Sequence, residues 1–275
     1  MQTTEMNPIQ PYFVLGTDTP YFKHSSGQNG IAHFYEFSHK KESKMQIVVP
    51  DASVDIIFNL NENNPTSWIY GSVSKPQVVP FAKGEKYFGV RYEIGDVPTF
   101  LDLKPQNLID NSLLLTDVFP RALELQEKLV KCNNFEHQVQ LFNHICHKSL
   151  IQKKEAPELC KILIHILLSQ QGNIRISELA EKTGYSTRLI DRVFKDYYGI
   201  SPKKFSLILK NQHALWRLTR YQYKRLTDLA LDLGYTDQSH FLKEFKRHNI
   251  LGPKQFNKMM GHYRYQDLIL DESLI

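Results

Sequence analysis

The chain has 275 residues, 41% of them hydrophobic and 23% charged, which is the composition of a globular protein with one large or two medium domains. No apolar run approaches the roughly 20 residues that span a bilayer. The N-terminal MQTTEMNPIQPYF also lacks the basic start and apolar stretch of a signal peptide, so we expect a soluble cytoplasmic protein with no membrane partner.

The charge is unevenly distributed. Residues 156–275 hold 19 Lys and Arg against 12 Asp and Glu, a net charge of +7, while the rest of the chain holds 15 against 17, a net charge of −2. A basic C-terminal part favours a polyanionic partner for one domain only.

Residues 1 to about 95 show the pattern of short β-strands. The segments KMQIVV, SVDIIFNL, SWIYG and KYFGVRYEIG are rich in β-branched and aromatic residues and are separated by turn sequences such as NENNP and AKGE. They predict a small β-sandwich or barrel of the cupin-like kind. VPTFLDL then predicts a helical turn, and LTDVFPRALELQEKLVKC and FEHQVQLFNHICHKSLIQKK predict amphipathic helices. We expect residues 1–155 to form a β-rich effector or regulatory domain with a helical C-terminal part.

The polar run QKKEAPE, which contains Pro157, is the expected domain boundary. After it every segment predicts a helix. PELCKILIHILLSQQG ends at Gly172, and ISELAEKTG and RLTDLALDLG also end at a glycine. The predicted fold class is therefore α+β with two domains, the second being an all-α domain over 156–262 followed by a tail over 263–275.

Two stretches of the C-terminal domain repeat one another. GYSTRLIDRVFKDYYG (184–199) and GYTDQSHFLKEFKR (234–247) share their outline, and the preceding Leu179 and Ala180 match Leu229 and Ala230 at the same offset. Each unit comprises a helix, a glycine turn, a second helix and a Ser-Pro or Gly-Pro start to a third. The repeat predicts two helix-turn-helix units joined by a helix over 202 to about 219.

The second helix of each unit has one apolar face and one polar face. The expected inward residues are Leu189, Ile190, Val193, Phe194 and Tyr197 in the first unit and Phe241, Leu242 and Phe245 in the second. The expected outward residues are Arg188, Asp191, Arg192 and Lys195 in the first and Gln238, Ser239, His240, Lys243, Lys246 and Arg247 in the second. Arginine pairs with guanine and glutamine with adenine in the major groove, whereas lysines serve bases or phosphates. The expected phosphate contacts are Lys195, Lys203, Lys246, Arg247 and Lys254. The alternative is that both polar faces are simply solvated surfaces of a helical packing domain that does not bind DNA. Two helix-turn-helix units in tandem on the basic half of the chain disfavour this alternative.

This half of the chain, from roughly 157 to 260, resembles the AraC/XylS family of bacterial transcription regulators. LALDLGYTDQSHFLKEFKRHNILGPKQF is similar to the family's second helix-turn-helix signature, and ELAEKTGYSTRLIDRVFKDYYGISPKKF fits the first. The resemblance implies base-facing positions for Arg188, Asp191, Arg192, Gln238, Ser239, His240 and Lys243. It also implies double-stranded DNA as partner, with RNA polymerase as a further partner of an activator. Lys210 and Asn211 depart from the usual Arg-Leu, and Gly252 replaces the commoner serine; both departures concern packing or capping.

The N-terminal half is similar to an uncharacterised sensor-like domain found ahead of some family members, through PDASVDIIFNL and GVRYEIGDVP. The family pattern implies a small-molecule effector for this domain and leaves a homodimer open. Asp55 and Arg91 are charged residues on otherwise apolar strands. They are candidate ligand-binding residues, or they pair with each other across the sheet, which we favour because buried charges need partners.

Enzyme and metal chemistry have weak support. His33 and His39 fall on one strand face and Glu36 on the other, and His144 and His147 are more typical of solvated or core histidines, so we expect no metal and no cofactor. Cys132, Cys146 and Cys160 are expected to be free thiols. No G-x-S-x-G, P-loop or G-x-G-x-x-G occurs, so we expect no enzyme. The runner-up is a small-molecule-processing enzyme of a cupin-like fold with an accessory helical module. A non-specific architectural DNA protein is a third hypothesis.

Overall fold

The computed structural model describes residues 9–15, 21–26, 30–39, 47–79, 81–98, 100–147, 156–220, 223, 225–263 and 269–271. The N-terminal half begins with a short helix, α1 (Pro11–Leu15). Its strands are β1 (Tyr21–Ser25), β2 (Ile31–Ser38), β3 (Ile47–Val48), β4 (Asp55–Asn59), β5 (Thr66–Tyr70), β6 (Gln77–Val78), β7 (Lys86–Tyr92) and β8 (Ser112–Leu114). A 3-10 helix (Pro105–Leu108) precedes β8, and helices α2 (Leu115–Val118), α3 (Ala122–Val130) and α4 (Phe135–His147) follow it.

The C-terminal half is built of helices. They are α5 (Glu158–Ser169), α6 (Ile176–Thr183), α7 (Thr187–Tyr198), α8 (Pro202–Arg220), α9 (Leu226–Asp232), α10 (Gln238–His248) and α11 (Pro253–Tyr263). A last strand, β9 (Ile269–Asp271), comes after them. The predicted division into a β-rich half with helices and a helical half with two helix-turn-helix units is confirmed.

Seven strands form one sheet in the order β8-β5-β4-β7-β2-β1-β9, and β3 pairs with β6 in a separate two-stranded sheet. All neighbours in the large sheet are antiparallel except β1 and β9, which run parallel. Because side chains alternate along a strand, Phe34, Phe58 and Phe88 share one face, where they pack in one core with residues of α3 and α4. Asp55, Ile57 and Arg91 belong to the opposite face of the same strands.

The opposite face of the large sheet is also covered by other parts of the chain. It packs against the β3–β6 layer, α1 and the C-terminal helices within a single hydrophobic core. Tyr35 and Ile57 of the sheet, Tyr12 of α1, and Leu215 and Phe241 of the helical half are all buried in it. The two halves of the chain are therefore joined by a shared core in addition to the backbone.

Several local details differ from the sequence predictions. VPTFLDL does not form a helical turn in its described residues, 97–98 and 100–103, and the nearest helix is the 3-10 segment that starts at Pro105, a residue favoured at the start of a helix. Strands β1, β6, β8 and β9 and helix α1 were not predicted, because two to five residues are too few to establish a period. Positions 44–46 of KMQIVV, the end of the second predicted helix at 148–154, and most of the predicted boundary run lie outside the described residues.

Candidate nucleic-acid interface

The first unit turns at Gly184. Helix α6 ends there because Gly184 has a φ of 73°, in the left-handed region that glycine adopts without strain, and its N–H donates to the Ala180 carbonyl. Ser186 then caps α7, its Oγ accepting a hydrogen bond from the Leu189 N–H at 3.4 Å. Ile190 and Phe194 lie on the buried side of α7, so the opposite stripe of the helix faces outward.

The second unit repeats the construction with different capping chemistry. Gly234 has a φ of 71° after α9, and Asp237 caps α10 by accepting a hydrogen bond from the His240 N–H at 2.8 Å. This hydrogen bond is the main reason why the pKa of Asp237 lies below its ordinary value. Phe241 and Phe245 are buried, which again leaves one stripe of the helix facing outward.

The structure places the predicted outward residues on these two stripes. Arg188, Asp191, Arg192, Lys195, Ser239, His240, Lys243, Lys246 and Arg247 are exposed, and so are Lys203 and Lys254 in the first turns of α8 and α11. Gln238 is half-buried. Its Oε1 accepts a hydrogen bond from the Thr227 hydroxyl at 2.8 Å, which leaves its two amide N–H donors for another partner. Within the described part of the chain, Arg188, Arg192 and Lys243 form no ion pair. The stripes therefore carry cations and amide donors that the fold itself does not use.

The inward side holds one residue that the sequence did not predict. Tyr198 is buried, whereas the predicted Tyr197 is only half-buried. A side chain added to Gly95 would lie 2.7 Å from the Tyr198 ring, so the N-terminal half approaches this end of α7 closely. Tyr198 follows Ile190 and Phe194 at a spacing of four residues, and its ring centre also lies 4.5 Å from that of Phe194 and 6.2 Å from that of Phe205.

The connecting helix α8 has 19 residues, which corresponds to about 28 Å at 1.5 Å per residue. Lys210 and Asn211 of α8 both hold the second unit on this helix. The Lys210 ammonium lies 4.5 Å from the centre of the Tyr235 ring and donates to the Gly234 carbonyl at 3.4 Å. Asn211 accepts a hydrogen bond from the Asn249 amide at 2.6 Å, in a buried site. These contacts fasten the second unit to the connecting helix.

Two family models match the chain. A model described as a helix-turn-helix domain matches residues 179–259, which contain both units, and a model described as a domain of unknown function matches residues 28–113. The chain carries an AraC-type helix-turn-helix domain. The resemblance inferred from the repeated GY segments is confirmed.

Transcriptional regulators from two bacteria are similar to part of this chain. An uncharacterized HTH-type transcriptional regulator of Haemophilus influenzae is 30% identical over 128 residues, which cover 45% of this chain and 43% of that protein. Another from Staphylococcus aureus is 24% identical over 158 residues, covering 51% of this chain and 21% of that protein. The alignments thus span less than half the length of either relative.

Solved structures are also similar to this chain. A transcriptional regulator with an AraC-type DNA-binding domain from Chromobacterium violaceum is 22% identical, with a TM-score of 0.33, covering 37% of this chain and 91% of that one. ToxT from Vibrio cholerae is 12% identical, with a TM-score of 0.42, covering 82% of this chain and 97% of that one.

In the N-terminal half, Asp55 and Arg91 form the pair that the sequence predicted. Arg91 Nε and Nη2 donate to the two Asp55 carboxylate oxygens at 3.1 and 2.7 Å. A second carboxylate, Asp51, lies 3.0 Å from Arg91 Nη1 and was not predicted. Burial opposes the charge on Arg91, but Asp55 and Asp51 together raise the pKa of its guanidinium. The Tyr35 hydroxyl donates to Asp55 at 3.0 Å. The Tyr35 ring lies directly over Gly89, where any side chain would overlap it.

The weighed metal candidates do not come together. His33 and Glu36 lie on opposite faces of β2, and Glu36 is paired with Lys86 at 2.7 Å. No group of three His, Cys, Asp or Glu in the described ranges is arranged to hold a metal ion. Cys132, Cys146 and Cys160 are free, and burial raises the pKa of the Cys160 thiol to about 11. None of the helices in the described residues is long and apolar enough to cross a membrane.

Proposed function

We propose that this chain is a sequence-specific DNA-binding transcription regulator whose two helix-turn-helix units contact successive major-groove segments. The observation that carries the proposal is the duplicated stripe: two N-capped second helices on the basic half, each with exposed polar side chains opposite a buried apolar seam. Arg188 and Arg192 in the first unit and Gln238 and Lys243 in the second are the proposed base-contacting residues. Successive major-groove entries lie about 34 Å apart on one face of DNA, similar to the length of the helix that joins the units.

The proposed phosphate contacts are Lys195, Lys203, Lys246, Arg247 and Lys254, all on or next to the second and third helices of a unit. Lysines in a first helical turn reach the DNA backbone as the helix approaches it, and such contacts fix the orientation of the protein without identifying bases. We keep the proposed domain limits of 1–155 and 156–262, with residues 263–275 as a tail.

The N-terminal domain is proposed to modulate DNA binding through its contact with α8. Gln212 of α8 accepts a hydrogen bond from the Ile9 N–H and donates one to the Pro50 carbonyl, both at 2.8 Å. The neighbouring Gln10 side chain bonds to both the N–H and the carbonyl of Val49 and to Asp51. A change at the Asp51–Arg91 cluster is thereby coupled to the helix that sets the spacing of the two units.

Equilibrium binding of the full chain to duplex DNA at several salt concentrations tests the proposal. Affinity should fall with salt at a log–log slope of about −0.9 per neutralised phosphate. Lys246→Ala and Lys254→Ala should each make that slope shallower by about one contact. Lys161→Ala, which removes an exposed cation on α5, is the matched control and should leave the slope unchanged. Absence of DNA binding at low salt, or a salt-independent affinity, would contradict the proposal.

A further inference from the structure

A cavity of about 180 Å³ lies between the large sheet and the β3–β6 layer. Its lining combines apolar side chains, among them Val49, Ile57 and Val79, with the charged Asp51–Asp55–Arg91 cluster. A cavity of about 150 Å³ is enough to hold benzene in another protein. The space therefore accommodates a small organic molecule with an apolar body and one polar end.

The charge of the lining is negative. Asp51, Asp55 and Asp110 contribute three carboxylates against the single guanidinium of Arg91, and the described lining contains no lysine or histidine. Asp51 and Asp55 are buried, so Arg91 balances only one of two buried negative charges. Burial raises the pKa of Asp51. An unbalanced buried charge is strongly unfavourable, and a ligand cation would balance it, whereas an anion would add to it.

The cluster keeps acceptor positions that its own residues do not use. Asp51 Oδ1 accepts one hydrogen bond, from the Ser53 N–H at 3.0 Å, and Asp55 Oδ2 accepts one, from Arg91 at 2.7 Å. A carboxylate oxygen has two lone pairs, so each oxygen retains one acceptor position. The guanidinium, in contrast, is already directed at both carboxylates through Nε, Nη1 and Nη2.

Ser53 supplies an independent observation. This residue lines the cavity, is only 2% exposed, and its hydroxyl oxygen has no hydrogen-bond partner among the residues that the structure describes. An unpaired buried hydroxyl is unfavourable, so such groups usually have a hydrogen-bond partner when the site is occupied. The Ser53 hydroxyl oxygen, one oxygen of Asp51 and one oxygen of Asp55 together provide three unused acceptor positions. A primary ammonium group has three N–H donors, so the two numbers match.

We propose that this cavity is a binding site for a small organic cation, with a primary ammonium group at Asp51, Ser53 and Asp55 and an apolar body against Val49 and Ile57. The inference rests on the proposed function only in naming the class of effector that the N-terminal domain takes. Binding itself is measured without DNA, so failure of the DNA-binding proposal and failure of this one are separate results.

Calorimetric titration of the full chain with 2-phenylethylammonium, 2-phenylethanol and 3-phenylpropionate tests the proposal, because the three probes differ mainly in charge. Charged hydrogen bonds are worth about 1.5–3 kcal/mol, so the ammonium should bind at least about tenfold more tightly than the alcohol, with the carboxylate weakest. Equal binding of ammonium and alcohol, tighter binding of the carboxylate, or no binding of any probe would overturn the proposal.

Variants locate the site. Asp51→Asn should weaken ammonium binding about tenfold because it removes the negative charge beside the cation. Ser53→Ala should weaken it about threefold or more because it removes a hydrogen-bond acceptor. Asp102→Asn, an exposed carboxylate outside the cavity, is the matched control and should bind as the parent does. Ser53→Ala removes only an oxygen that has no hydrogen-bond partner in the described structure, so the variant should fold. It therefore still tests the site if Asp51→Asn unfolds. Unchanged ammonium affinity in Ser53→Ala would overturn the assignment.

Discussion

Replacing Gln212 by alanine should uncouple the two halves of the chain. Gln212 is 1% exposed and its side chain makes two hydrogen bonds across the boundary, to Ile9 and Pro50, each 2.8 Å long. The substitution removes both bonds and leaves a backbone N–H and a carbonyl without their partner. Each unsatisfied group costs about 1–3 kcal/mol, so the free energy of unfolding should fall by roughly 2–5 kcal/mol.

The two tryptophans make the loss measurable in each half separately. Trp68 lies on β5 of the sheet and Trp216 on α8, and the chain has no others. Urea unfolding followed by fluorescence in Trp68→Phe and Trp216→Phe backgrounds should give coincident curves for the parent, because the halves share a core. Adding Gln212→Ala should lower both midpoints and separate the curves.

The matched control is Gln140→Ala, because Gln140 is exposed on α4 and bonds only to Glu136 at 3.3 Å in the described structure. Exposed substitutions of this kind change the free energy of unfolding by less than about 0.5 kcal/mol. A Gln212→Ala protein within that range of the parent, with coincident curves, would refute the view that this residue links the N-terminal domain to the connecting helix.

Three further predictions concern stability. Burial and a neighbouring arginine lower the pKa of His213 to about 4, so the unfolded chain takes up a proton near pH 6.5 that the folded protein does not. The free energy of unfolding should therefore fall by up to about 2 kcal/mol between pH 6.5 and 5, and His213→Gln should remove that part of the slope in urea titrations. Gly89→Ala should lower the free energy of unfolding by about 1–3 kcal/mol or more, because the new methyl group overlaps the Tyr35 ring. Gly252→Ala is the control and should have little effect on the thermal midpoint, because no atom of the described residues would lie nearer than 3.7 Å to the new methyl group. Asn249→Ala should cost about 1–3 kcal/mol by leaving its buried asparagine partner on α8 unpaired; an unchanged urea midpoint would show that the pair contributes nothing.

The sequence predicted the helical half well because its signals are local. Gly184 and Gly234 end helices through their own backbone freedom, and the spacing of Phe241 and Phe245 within α10 identifies the buried side. Tyr198 was missed although it follows Phe194 at a spacing of four residues and packs against it. Part of its cover, at Gly95, comes from a loop about a hundred residues earlier in the chain, which the local sequence does not indicate.

The candidate ligand cluster was only partly predictable for the same reason. Asp55 and Arg91 stood out as charges within apolar strands, and antiparallel pairing of β4 with β7 places them directly opposite each other. Asp51 precedes its strand, so no alternation pattern marks it as buried. The contact of Gln212 with Ile9 spans 203 residues, and nothing in either local sequence indicates it.

Selection of bound duplexes from a random DNA pool by the full chain tests the central claim most directly. The account predicts an enriched site with two segments about one helical turn apart. Arg188→Ala and Gln238→Ala should each relax base preference in a different segment, by about 1–3 kcal/mol per lost contact. A pool without an enriched sequence, or the same loss across both segments for both variants, would contradict the claim that two units contact successive groove segments through their exposed stripes.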